Sequence, residues 1–102
     1  MAKLIVMYRT PADPAAFDAY YFGKHVAVAR KLPGLRSYEV SRGGIGTPAG
    51  PSGFHLVAIL TFDSMADIEA AMASPEGQAA AADVARFADA GAELAFFDTQ
   101  AF

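Results

Sequence analysis

The chain has 102 residues, a formal net charge of −3, no cysteine and an apolar fraction of 54%. One domain over residues 1–102 is expected at this length, and 8 Phe and 4 Tyr among many aliphatic side chains exclude disorder. Without cysteine there is no disulfide scaffold or thiolate zinc site; no apolar run reaches the roughly 18 residues of a membrane span, and no Lys/Arg cluster exists to hold nucleic acid.

Residues 3–9 (Lys-Leu-Ile-Val-Met-Tyr-Arg) are β-branched and aromatic enough to predict a strand. Met1-Ala2-Lys3 runs straight into it without the features of a signal peptide, so a cytoplasmic protein is expected. Asp13 then caps a helix with Pro14 at its first position; Phe17, Tyr21, Val28 and Leu32 recur at helical spacing until Pro33-Gly34. Residues 35–42 predict a second strand, 43–53 a Gly- and Pro-rich loop, and 54–62 the clearest strand of all. Ser64, with Asp67 three residues on, and Ser74, followed by Pro75 and Glu76, both have the character of helix caps. The second of these helices turns Val84, Phe87 and Ala88 inward and stops near Gly91, before a last strand at 93–97. The order is β-α-β-β-α-β with the second helical segment broken at Pro75. That is an α+β chain of ferredoxin-like type, an antiparallel sheet with helices on one face.

Three of the four strands are apolar on both sides. In 54–62 one face carries Phe54, Leu56, Ala58, Leu60 and Phe62, and the other His55, Val57, Ile59 and Thr61. In 3–9, Leu4, Val6 and Tyr8 alternate with Ile5 and Met7; in 93–97, Leu94 and Phe96 alternate with Ala95 and Phe97. A sheet with one wet face should alternate apolar with polar. Helices cover only one side, so the expected cover for the other is a second copy of the chain, a homodimer.

Candidate chemistry centres on His25. On a wheel of about 100° per residue from Phe17 it lies near 80°, on or beside the packed face, where an imidazole can act as base, acid or anchor. Tyr38, mid-strand, can donate a phenol hydrogen bond to a ligand oxygen or fill the core. His55, on the face of Val57 and Ile59, can line a ligand site or a dimer seam. Tyr8, Tyr20 and Tyr21 are packing residues first, with polar ends that Tyr8 and Tyr21 can lend to a ligand. Asp67, Glu69, Asp83 and Asp89 read as a solvated helix face. His25 and His55 are the only histidines and lie on different elements, so no metal centre is expected. Gly44-Ile45-Gly46 precedes prolines and not a helix, so no dinucleotide or other cofactor is expected.

From Pro14 through Phe17, Tyr20, Tyr21, Lys24 and His25 to Pro33-Gly34 and Tyr38, the chain resembles the EthD family, named for ethyl tert-butyl ether degradation. The features that carry the likeness are an aromatic five residues before His25, the Leu-Pro-Gly turn, and the aromatic on the next strand. Ser74-Pro75-Glu76-Gly77 leading to Asp83 and Phe87 is similar to the family's second-half pattern. The resemblance implies a dimeric α+β barrel in which two sheets pair, and a pocket for a small organic ligand between sheet and helices. It makes His25 the matching family histidine and Tyr38 its partner. It also implies a cofactor-independent enzyme of oxidoreductase or isomerase type, or an accessory factor in the breakdown of ethers or aromatics. The residues alone leave open a non-catalytic binding module and a structural dimerisation domain.

Overall fold

The β-branched and aromatic runs at either end of the chain and in its middle pair with one another, as the computed structural model shows for residues 1–102. In chain order the elements are β1 (Ala2–Arg9), α1 (Pro14–Tyr20), a π-helical turn (Tyr21–His25), α2 (Val26–Ala29), β2 (Ser37–Val40), β3 (Gly46–Thr47), β4 (Gly50–Pro51), β5 (Phe54–Phe62), α3 (Met65–Ala73), α4 (Pro75–Phe87) and β6 (Ala92–Asp98). Four strands form one antiparallel sheet in the order β2-β5-β1-β6. This is the ferredoxin-like arrangement that the element order predicts. The helix expected to run unbroken from Pro14 to Pro33 is interrupted by the π turn, and the strand expected over 35–42 is shorter, at Ser37–Val40. A small hairpin, β3 with β4, occupies the Gly- and Pro-rich loop. No helix is long and apolar enough to cross a membrane.

The molecule measures 35 × 34 × 17 Å. That thickness accommodates one sheet and one layer of helices about 10 Å away, and nothing more. Between these layers Leu4, Val6 and Tyr8 of β1 meet Leu56, Leu60 and Phe62 of β5, under Phe17, Tyr21, Ile68 and Phe87 from the helices. On the far side of the sheet Ile5 pairs with Ile59 and Met7 with Val57, all only half-buried. Phe97 lies on that same side opposite Lys3, and is 44% exposed. The sheet is therefore apolar on both faces, and the chain's own helices cover one.

Helix starts follow their caps. Ser64 accepts a hydrogen bond from the Asp67 amide and Ser74 from the Gly77 amide. Both satisfy N–H groups that a helix terminus leaves unpaired. The break at Pro75 folds α4 back so tightly that Gly77 lies against the end of α3. A Cβ there would stand 2.1 Å from the Ala71 carbonyl oxygen and 2.7 Å from that of Met72. Backbone cannot move aside as a flexible side chain can, so only glycine fits. Gly77→Ala is expected to destabilise the fold by about 1–3 kcal/mol, measured as a lower Tm by calorimetry. Gly23→Ala is its control: that Cβ would meet nothing within 4 Å, and its Tm should hold or rise slightly.

Candidate functional site

The π turn shapes the site first. In an α-helix each step of four residues drifts about 40° around the axis, so a stripe built from Phe17 in such steps would spiral off the sheet. Between Tyr21 and His25 the winding loosens, with the Val26 amide bonding back to the Tyr21 carbonyl, five residues earlier. The wider turn rotates less per residue and cancels part of the drift. As a result Phe17, Tyr21, His25 and Ala29 are all buried, while Phe22 is pushed out to 53% exposure. His25 thus sits on the packed face itself, and Val28, expected there, is only half-buried.

Opposite it, α4 supplies Asp83. This residue departs from the reading of a solvated acidic face: it is buried, and its carboxylate faces the first helical segment. Asp83 Oδ2 lies 2.8 Å from His25 Nδ1, and Oδ1 accepts a 2.6 Å hydrogen bond from the Tyr20 hydroxyl. Glu69 and Asp89 do lie on the surface, and half-buried Asp67 accepts from the Ser64 hydroxyl. The sequence held a signal that charge alone obscured. Asp83 is four residues before the inward Phe87, so it shares that stripe. Burial works to raise the Asp83 carboxyl. The hydrogen bonds from Tyr20 and His25, with the charges of His25 and Arg86, outweigh it and hold the group below its ordinary value. An ionised carboxylate only accepts, so His25 Nδ1 carries the proton in this bond. The nitrogen left to meet a guest is Nε2.

Around His25 the tyrosines converge. The Tyr21 and Tyr38 hydroxyls are 2.6 Å apart. Burial is the first cause raising both phenols above their ordinary value, so both remain protonated at neutral pH. Tyr8 packs edge-on against Tyr21, with ring centres 5.5 Å apart. These residues line one side of a cavity of about 120 Å³ between sheet and helices, whose other walls include Val6 and Leu60. Met72 and Leu94, 40% and 54% exposed, stand at its mouth. The arrangement can accept a proton at Nε2 and donate hydrogen bonds from phenols inside an apolar chamber.

Of the residues singled out from the sequence, the structure brings His25, Tyr38, Tyr21 and Tyr8 together and places His55 elsewhere. A bulge explains the difference. Tyr8 pairs with Leu56 but Arg9 with Phe54, so His55 is an extra residue in the ladder. Bulges re-aim side chains. His55 turns away from the face of Val57 and Ile59, toward the helices, where its ring meets Phe17 and its Nε2 lies 2.8 Å from Asp18 Oδ1. There it borders a wide groove of about 560 Å³ with Arg42 and Phe54. That groove is larger than the cavity, but it is open and holds none of the buried phenols. No cluster of three or more His, Asp or Glu side chains is disposed to hold a metal ion.

The β2-β5-β1-β6 sheet under one helical layer, enclosing a His–Asp pair and a chamber, defines a ferredoxin-like α+β protein with an internal cavity. The chain belongs to the EthD family, whose EthD domain matches residues 9–91. It is 39% identical, over 98% of its length and 96% of the relative's, to the uncharacterized 11.0 kDa protein in the thcB-thcC intergenic region of Rhodococcus erythropolis. An EthD family protein from Bacillus halodurans superposes with a TM-score of 0.89 at 37% identity, covering 98% of this chain and 99% of that one. Fold alone is shared with SnoaB, a cofactor-independent oxygenase from Streptomyces nogalater. There the TM-score is 0.70 at 16% identity, over 99% of this chain and 94% of SnoaB. A dimeric ferredoxin-like protein from Bacteroides fragilis matches with a TM-score of 0.62 at 19% identity, covering 96% and 95% of the two chains.

Because the folded Asp83 carboxyl lies below its unfolded value, its contribution is fully present above about pH 4. It fades as pH falls through the lower folded value. Asp83→Asn should therefore lose on the order of 2 kcal/mol at neutral pH, the scale of a hydrogen bond to a charged group. The gap to the parent protein should close in acid, as chemical denaturation at a series of pH values would show.

Proposed function

We propose that this protein is a homodimeric, cofactor-free enzyme that binds a small, mostly apolar organic molecule and moves a proton on it. The observation that carries the reading is His25: a buried imidazole with Nδ1 committed to Asp83, lining an apolar chamber. Such a base contributes on the order of 10²–10⁴-fold to a rate. In the isomerase form, Nε2 takes a proton from carbon beside a carbonyl. The Tyr38 hydroxyl, oriented by Tyr21, hydrogen-bonds the enolate oxygen, and the imidazolium returns the proton at another carbon. Atoms and charge balance with no second reactant. The likeness to SnoaB supports an oxidoreductase form in which the deprotonated molecule is instead oxidised by dioxygen. Oxygen consumption separates the two.

Deuterium uptake from heavy water into a panel of small cyclic ketones, lactones and phenols, followed by NMR, tests the proton transfer. Enzyme-dependent exchange is expected for at least one compound. His25→Gln should slow it by 10²–10⁴-fold while the circular dichroism spectrum holds. Exchange unaffected by His25→Gln would leave a binding module instead.

The open sheet face supports the homodimer: Ile5 and Ile59 pair across β1 and β5, and Phe97 stands at the β6 edge. Structures of the same fold from other organisms are described as dimeric. Sedimentation at micromolar concentration should give a dimer. Ile59→Lys, a charge placed at the centre of that face, should give a folded monomer.

A further inference from the structure

Within the cavity most polar groups are committed to one another; His25 Nε2, one O–H of the Tyr21–Tyr38 pair and the Tyr8 hydroxyl are not. Tyr20 donates to Asp83, His25 Nδ1 binds the same carboxylate, and the Tyr21 and Tyr38 hydroxyls pair. Tyr8 is 1% exposed and lines the cavity, yet its hydroxyl makes no hydrogen bond within the chain. The hydroxyl is not sealed off but reaches the cavity, so its O–H is free to meet a guest atom there.

The charges around the chamber restrict that guest. No Lys or Arg lines it. Behind His25 stands the Asp83 carboxylate, which repels an anion. A carboxylate or phosphate would therefore enter without a counter-charge and against a like one. A neutral molecule with an O–H group meets no such penalty. It can donate to His25 Nε2 and accept from Tyr8.

From this we infer that the site takes small neutral O–H acids on an apolar frame, phenols or enols, with Tyr8 and His25 gripping the same oxygen. The assignment rests on His25 serving as the base. When the proton passes, the substrate O–H bond breaks and an N–H bond forms at Nε2. The imidazolium is then balanced by Asp83, and the new oxyanion is held by the Tyr8 O–H. Burial, followed by the charges of Tyr38 and Asp83, keeps the Tyr8 phenol above its ordinary value, so it remains a donor. Tyr8 is thus a substrate-positioning and oxyanion-binding residue as well as a core residue.

The test uses 4-cyanophenol, 4-cyanobenzoate and benzonitrile. Affinities are measured by calorimetry, and the nitrile stretch reads ionisation at a pH where the free phenol is neutral. The full-length protein should bind the phenol at least tenfold tighter than the benzoate. Tyr8→Phe should weaken the phenol by about tenfold, one hydrogen bond's worth, while benzonitrile binds both proteins equally and shows the chamber intact. Equal affinity for phenol and benzoate overturns the inference, as does phenol binding indifferent to Tyr8→Phe or no phenol binding at all. A phenol that needs Tyr8 but stays neutral when bound supports this ligand class and counts against His25 as base. One ionised in a His25-dependent way, yet indifferent to Tyr8→Phe, does the reverse.

Discussion

The bond between His25 Nδ1 and Asp83 Oδ2 joins side chains 58 residues apart, one from each helical half of the chain. Neither residue could occupy its position alone. A buried carboxylate without donors would protonate or draw in water, and a lone buried imidazole would leave both ring nitrogens unpaired. Together, with Tyr20 on the second carboxylate oxygen, they form a satisfied polar knot within a largely aromatic core. The knot fixes how α4 lies against the π turn. It therefore fixes the distance between helices and sheet, which is the height of the chamber.

The π turn and this knot act on the same problem. A regular α-helix would rotate His25 away from the sheet and toward the flank, where it would meet water more readily than Asp83. The loosened turn keeps the imidazole in the stripe begun by Phe17 and Tyr21 and leaves Phe22 outside. A π turn is less well bonded than the helix it interrupts. Its cost is local, whereas the bond it permits ties together two distant segments. The helix gives up regularity at the point where a side chain must be aimed.

How much of this was legible follows from which periodicities were broken. The strands obeyed period two and the caps lay where Ser64, Ser74 and Pro75 indicated, so sheet order and helix starts could be read directly. The π turn and the bulge at His55 each insert one residue into a repeat. An insertion of that kind leaves the composition unchanged, so wheel and alternation arguments misplace the residues beyond it. The wheel consequently left His25 on or beside the packed face without deciding between them, and alternation put His55 on the side of Val57 and Ile59. Asp83 was obscured by a different habit, that of treating acids on an Ala-rich helix as solvated. Its phase with Phe87 pointed inward throughout, but only a partner such as His25 makes that position tenable.

The apolar excess now divides between two surfaces of unlike character. One lies under the helices and is interrupted by a few hydroxyls, an imidazole and a carboxylate, all arranged around a cavity. The other runs through Ile5, Met7, Val57, Ile59 and Phe97, is bordered by Lys3, Glu39 and Glu93, and has no cover from the chain itself. A surface that binds a changing guest needs polar groups that can be satisfied when the guest is present. A surface that binds a permanent partner needs continuous apolar area and shape. The two faces of this sheet differ in that respect. β1 and β5 are shared by both: the strands that floor the chamber are the strands that carry the open face.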